Sequence, residues 1–153
     1  MAGTQRTTVL VAYDFGDTAA PALAWALQHA SERGARLVVV HVLAVVAPAV
    51  APDGMVASPI PTAGDVRNAA NRLASVVSDG AEGVPVEVEV LVGTSAGERI
   101  VEWARDNTPD AIVLGTHARG AFARAVLGST ADYVLRHADG PVITVRQVRS
   151  ERA

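Results

Sequence analysis

Five short apolar runs recur along the chain, and stretches with helical periodicity separate them. The runs are TVLVAY (8–13), RLVVVHVL (36–43), VEVEVLV (86–92), AIVLG (111–115) and PVITVR (141–146). Residues 9–11, 37–40 and 112–114 are continuously apolar, as strands buried on both faces of a parallel sheet are. The third run alternates instead and places Glu87 and Glu89 on one face, which favours an exposed edge strand.

Four amphipathic helices fill the intervals between these strands. The first begins at Asp17 or Thr18 and ends at Gly34; the others cover about 65–79, 96–107 and the stretch from Gly128 to Gly140. Strict alternation of strand and helix, with right-handed crossovers, predicts an α/β fold: an open, doubly wound five-stranded parallel sheet with helices on both faces. Ligands bind such sheets outside the carboxyl ends of the strands, near the point where the strand order reverses.

The chain length of 153 residues predicts a single domain spanning 1–153, with its core at about 7–146. Residues 44–64 hold four prolines and two glycines without a clear period, and we therefore expect an irregular loop there. The most apolar window, residues 37–51, is too short to span a bilayer, and the amino terminus lacks the apolar run of a secretion signal. We expect a cytoplasmic protein without a membrane partner.

Composition removes several classes of function. The 13 basic residues are all arginine, they face 16 acidic residues, and they form no basic stripe, so a nucleic-acid partner is not expected. Without cysteine or lysine, the chain has no thiolate site, no Walker-type lysine and no lysine base. The four histidines show no metal-ligand spacing, so protein ligands alone are not expected to bind a metal.

Polar residues follow the first strand and open the last helix. Asp14 ends the first strand, where it could accept hydrogen bonds from ribose hydroxyls or an adenine amine; a turn former or a helix cap explains it equally well. Gly128, Ser129 and Thr130 open the fourth helix, whose free amides attract anions. An ordinary N-cap is the alternative for these three residues, and position alone favours it.

Several separated motifs together resemble the universal stress protein family. The pattern G-x-x-G-x(9)-G-[ST] lies between a buried strand and the last helix, with Gly115, Gly128 and Ser129 in place. The closing strand PVITVR and the opening VAYDFGDTAAPALAWA match the family as well, so that the resemblance covers about residues 7–146. It implies an adenine nucleotide alpha hydrolase-like sheet, a homodimer, and membership of either an ATP-binding or a non-binding branch.

The resemblance also implies an ATP site, with ATP bound alone or with Mg²⁺. The implied site consists of Asp14, Val42, Gly115, Ala118, Gly128, Ser129 and Thr130. Asp14 would contact the ribose or adenine and Val42 would line the adenine pocket. The glycines would let the backbone approach the phosphates, to which the two hydroxyl residues would donate.

One position of the motif departs from the family pattern. Alanine stands at 118, where the family has its second glycine, so the sequence reads G-x-x-A-x(9)-G-S. If this position needs a positive φ, alanine costs about 1 kcal/mol or somewhat more, and its methyl group occupies space near a phosphate. We expect ATP binding to be weakened rather than lost.

Three functions therefore remain open: an ATP-binding regulatory protein, a dimeric interaction module that binds no nucleotide, and, least favoured, a slow ATPase. The apolar residues Val142, Ile143 and Val145 predict a homodimer through strand 141–146, because an uncovered apolar edge invites aggregation. Other protein partners cannot be named from the sequence.

Overall fold

The computed structural model describes residues 6–48, 50–56, 60–117 and 128–147. Its strands and helices alternate as predicted. In chain order they are β1 (Thr8–Ala12), α1 (Ala19–Arg33), β2 (Arg36–Ala44), α2 (Ala63–Ser78), β3 (Val86–Gly93), α3 (Ala96–Asn107), β4 (Ala111–His117), α4 (Ser129–His137) and β5 (Val142–Gln147). The predicted elements are all present, although α4 ends at His137, earlier than the Gly140 that the sequence indicated.

The five strands form one sheet in the order β3-β2-β1-β4-β5, and each neighbouring pair is parallel. This confirms the open, doubly wound fold. β3 occupies one edge, as its alternating sequence indicated, and β5 occupies the other. The strand order reverses between β1 and β4, so the carboxyl ends of these two central strands form the topological switch point.

Two apolar layers cover the two faces of the sheet. Val9, Val11 and Val39 pack with α1 and α2, whereas Leu10 and Val38 pack with α3 and α4. Successive residues of a strand point to opposite faces, so a continuous apolar run is needed to fill both layers. These five side chains are fully buried.

The two glutamates of β3 lie in different surroundings. Glu87 is exposed and forms an ion pair with Arg36 at 3.1 Å, as a solvated edge residue does. Glu89 is half-buried and accepts a hydrogen bond of 2.6 Å from the indole Nε1 of Trp103 on α3. The second glutamate therefore ties the edge strand to a helix.

The connection between β2 and α2 contains more order than the predicted irregular loop. Val50 and Val56 form an isolated antiparallel bridge, closed by a turn in which Gly54 has φ 81°. The connection ends in a capping box, in which Thr62 and Asp65 exchange hydrogen bonds and α2 begins two residues before the predicted start. Hydrogen bonds from the Thr62 side chain and backbone lower the pKa of Asp65. In the described ranges, no helix has both the length and the apolar character needed to cross a membrane.

Candidate functional site

A cleft of about 90 Å³ opens at the carboxyl ends of β1 and β4. We call it the β1/β4 cleft. Of the seven predicted site residues, four line it: Asp14, Val42, Gly115 and Thr130. The fold brings them together from four separate elements, because the ends of neighbouring parallel strands meet at the same edge of the sheet.

The other three predicted residues are not part of the cleft wall. Gly128 and Ser129 are exposed at the start of α4, directly before Thr130. Ala118 falls outside the described residues. The structure therefore places six of the seven residues at the carboxyl-end edge of the sheet, and the role of the alanine remains a prediction.

Asp14 is exposed, and its carboxylate is held in a defined direction. Its Oδ1 accepts a hydrogen bond of 2.8 Å from the backbone N–H of Gly16. A Cβ added to Gly16 would lie 3.0 Å from that oxygen, so the lack of a side chain at Gly16 leaves the space that this turn needs. Within the described residues, Oδ2 accepts no hydrogen bond from the protein. Asp14 thus stabilises a turn, which is one of the roles that its position in the sequence suggested. Among the described residues, its Oδ2 remains available to a ligand.

The helix-cap alternative for Asp14 is not observed. The N-cap of α1 is Thr18, which makes no side-chain capping hydrogen bond. Asp14 lies four residues earlier, and among the described residues its side chain accepts a hydrogen bond only from Gly16 of its own turn.

Gly115 lies against the start of α1. A Cβ at this position would be 2.3 Å from the carbonyl oxygen of Thr18 and 2.8 Å from its Oγ1. Real Cβ atoms do not approach backbone so closely, so packing of α1 on β4 already requires glycine here. This requirement exists in addition to any role of Gly115 beside a phosphate.

In the described part of the chain, no side chain caps the amino terminus of α4. Gly128 is the N-cap, with φ −58° and ψ 157°, and as glycine it offers no side chain to the first amides. A Cβ added there would meet no atom within 4 Å in the described part of the chain. The acidic residue of the first turn, Asp132, forms an ion pair with Arg136 at 3.0 Å. Gly128 is thus the N-cap, as the alternative for these three residues has it, but among the described residues it adds no side-chain hydrogen bond, and the helix end can receive an anion.

Apolar side chains form the inner walls of the cleft. Val40 is fully buried and Ile100 nearly so, and together with Val42 they give the cleft that Asp14 lines an apolar surface. Ala96 and Ile100 come from the first turns of α3, which sequence reasoning did not assign to the site. Their spacing of four residues at the start of a helix that follows β3 is the signal that could have found them. Among the described residues, no cluster of three histidine, aspartate or glutamate side chains could hold a metal.

The sequence profile of the universal stress protein family matches residues 5–146. The chain belongs to the universal stress protein family. A universal stress protein from Thermus aquaticus is 34% identical over 141 residues, which cover 91% of this chain and 98% of that protein. A relative from Methanocaldococcus jannaschii is 39% identical over 69 residues, and the match covers 45% of this chain and 40% of that protein. The chain thus spans less than half of that relative's length.

Solved structures of universal stress proteins share the fold. One from Archaeoglobus fulgidus has a TM-score of 0.66 at 26% identity, covering 90% of this chain and 92% of that one. The Archaeoglobus fulgidus protein in complex with dAMP has a TM-score of 0.61 at 26% identity and covers 91% and 96% of the two chains. A family member in complex with cAMP has a TM-score of 0.59 at 25% identity and covers 94% and 98%. Structurally similar family members therefore bind adenine nucleotides.

Proposed function

We propose that this universal stress protein is a regulatory protein that binds ATP in the β1/β4 cleft. The observation that carries the proposal is the convergence in one cleft of a carboxylate (Asp14), an apolar wall (Val42) and Thr130 from the first turn of α4, a helix start that no side chain caps among the described residues. These three features correspond to the sugar, base and phosphate parts of a nucleotide. The complexes of relatives with dAMP and cAMP support an adenine nucleotide as the ligand class.

The base would lie against the apolar wall. The enclosed volume of about 90 Å³ is smaller than the roughly 300–1,000 Å³ of pockets that engulf a drug-sized ligand. The cleft can therefore enclose only part of a nucleotide, and the flat face of the purine suits the apolar surface of Val40, Val42 and Ile100. The Oδ2 of Asp14, which accepts no hydrogen bond from the described residues, would accept hydrogen bonds from the ribose hydroxyls at the mouth of the cleft.

The phosphates would extend toward α4. An anion at a helix start gains about 0.3–1 kcal/mol from the helix dipole, and hydrogen bonds to charged groups contribute about 1.5–3 kcal/mol each. The backbone amides of Ser129 and Thr130 and their hydroxyls would supply these bonds. Any Mg²⁺ would be held chiefly by the phosphates, because Asp14 is the one acidic residue lining the cleft in the described part of the chain.

We expect the site to bind ATP without rapid turnover. Fast hydrolysis needs a base positioned to activate water, and the described cleft wall offers only the Asp14 carboxylate, whose Oδ1 is already engaged with Gly16. A protein that holds ATP without consuming it can report nucleotide levels to a partner.

A second copy of the chain is the partner that the sheet edge supports. β5 bonds to β4 on one side, and among the described strands it has no neighbour on the other. An open edge carries a row of unpaired backbone groups that can pair with another chain. We therefore propose a homodimer through strand 141–146. This edge also supports the alternative function, a dimeric interaction module in which the cleft binds no nucleotide.

Titration calorimetry with a series of nucleotides tests the proposed function. We expect ATP with Mg²⁺ to bind with a dissociation constant in the tens of micromolar, about tenfold weaker than a micromolar site. AMP should bind more weakly, because it reaches fewer amides of α4. Equal affinity for ATP and inorganic triphosphate would show that the apolar wall takes no part.

A further inference from the structure

Phe15, directly after Asp14, adopts an unusual backbone conformation. Its φ is 62°, in the left-handed region that bulky side chains rarely occupy. A residue keeps such a conformation only when its surroundings hold it there, and such residues concentrate at functional sites. In this protein the residue next to it lines the β1/β4 cleft.

Three side chains hold the Phe15 ring. Tyr13 meets it edge-on, with centroids 5.1 Å apart and an interplanar angle of 89°. His41 meets it at 4.9 Å and 71°. The guanidinium carbon of Arg72, on α2, lies 4.2 Å from the ring centroid, which is within the range of a cation–π contact. We call these four residues the Phe15 cluster.

The cluster is tied to the sheet by backbone hydrogen bonds. The Tyr13 amide donates to the Val40 carbonyl at 2.8 Å. The Nδ1 atom of His41 lies 2.7 Å from the carbonyl oxygen of Tyr13. Because a carbonyl can only accept, Nδ1 carries the proton and the imidazole ring is fixed in one orientation. The cluster thus rests on the ends of two central strands.

The Phe15 ring and the Asp14 carboxylate have different surroundings. The ring packs against the apolar layer beneath α1 and α2, whereas Asp14 lines the cleft, whose walls come from both layers, as Ala19 and Ile100 show. Anchoring the ring therefore fixes the backbone directly beside the Asp14 carboxylate. The hydrogen bond from Gly16 to Oδ1 then sets the rotation of the carboxylate.

We propose that Phe15 is a positioning residue, clamped by Arg72 of α2, that holds the Asp14 carboxylate toward a nucleotide in the cleft. The inference rests on the proposed nucleotide site. It adds that α2, which lies outside the cleft wall, influences the affinity of the site for ATP through Arg72 and Phe15. Phe15 acts only through Asp14 and makes no contact with the ligand.

A double-mutant cycle tests this route. In the wild-type background, Phe15→Ala should weaken ATP binding about tenfold in calorimetry, since the carboxylate is no longer held. In the Asp14→Ala background, the same substitution should cause no further loss. Phe15→Tyr, which keeps the ring, should retain wild-type affinity. An equal loss in both backgrounds, or no loss in the wild type, overturns the inference.

The Arg72 side chain gives a second test that leaves the buried layers intact. Arg72 is exposed, and Arg72→Met keeps the aliphatic stem but removes the charge above the ring. ATP binding should weaken about two- to fivefold, as expected for an exposed cation–π contact, and Arg72→Lys should restore part of it. Arg67→Met is the matched control, because Arg67 is exposed on the same helix and lies outside the Phe15 cluster.

If Phe15→Ala gives no folded protein, the two Arg→Met variants provide the test: equal ATP affinities for Arg72→Met and Arg67→Met overturn the inference.

The failure of this inference and the failure of the proposed function give different results. If the wild type binds ATP and the Phe15 and Arg72 variants bind it with the same affinity as the wild type, only the positioning role is contradicted. If the wild type binds no ATP at millimolar concentration, both the nucleotide site and the positioning role are contradicted.

Discussion

Gly115 on β4 and Thr18 at the start of α1 are packed so closely that a Cβ on the glycine would lie 2.3 Å from the threonine carbonyl oxygen. Thr18 is itself buried, and both residues line the β1/β4 cleft. The same contact that joins helix and sheet therefore forms part of the cleft wall. A glycine that the family resemblance connects with phosphate binding has an independent role in packing.

We expect Gly115→Ala to destabilise the fold. The added methyl group has to push α1 away from β4, and such overpacking costs about 1–3 kcal/mol. The midpoint of urea unfolding should fall accordingly. Gly64→Ala is the control, because a Cβ there would meet its nearest neighbour at an ordinary 3.5 Å within the first turn of α2. An unchanged midpoint for Gly115→Ala would show that α1 can shift away from β4 without a loss of stability.

Gly128→Ser should separate helix capping from nucleotide binding. Serine is a preferred N-cap, so stability should be kept or slightly raised. Its hydroxyl would accept a hydrogen bond from one of the first amides of α4 and compete with a phosphate for it. ATP affinity should fall by about tenfold or more in calorimetry, by the loss of about one hydrogen bond to a charged group. Unchanged affinity would mean that the start of α4 does not contact the phosphates.

Ala118→Gly should tighten ATP binding. If the family's glycine at this position allows a close approach of backbone to phosphate, restoring it should recover about 1–2 kcal/mol, or roughly tenfold in affinity. The comparison is made by titrating both proteins with ATP and Mg²⁺. Equal affinities would show that the alanine is compatible with full binding and that the departure from the family pattern is neutral.

Thr144→Pro should separate the proposed dimer. The carbonyl of Pro141 accepts a hydrogen bond from the amide of Ile112 on β4. The backbone groups of successive residues point to alternate sides of a strand, so the odd-numbered residues of β5 face β4 and the amide of Thr144 faces the open edge. Proline removes that donor and is tolerated on an edge strand whose N–H faces outward. Sedimentation at micromolar concentration should give a dimer for the wild type and a monomer for the variant. A dimer that survives, with Thr144→Val as control, would place the interface elsewhere.

The elements of this fold could be predicted because their signals are local. Residues 9–11 and 37–40 are apolar on both faces, and this pattern alone indicates a buried parallel strand. The alternation of β3 likewise indicated an edge. Asp14 and Thr130 could be assigned to one site because strand order places their elements side by side.

Other features depend on contacts between distant parts of the chain and have no local signal. Phe15, in the connection after β1, has a left-handed φ, and its ring is covered by Arg72 of α2, which lies far away in the sequence. The reason for glycine at 115 is a helix start almost a hundred residues away in sequence. The hydrogen bond from Trp103 to Glu89 similarly joins a strand to a helix, so the polarity of Glu89 alone suggested full exposure.

The most direct test of the central claim is a calorimetric titration of ATP with Mg²⁺ into the wild type, Asp14→Asn and Asp17→Asn. Both substitutions remove one negative charge from the same exposed turn, but only Asp14 lines the β1/β4 cleft. We predict wild-type affinity in the tens of micromolar, the same value for Asp17→Asn, and a loss of about tenfold for Asp14→Asn. Equal affinities for all three proteins, or no binding by the wild type at millimolar ATP, would contradict nucleotide binding in this cleft.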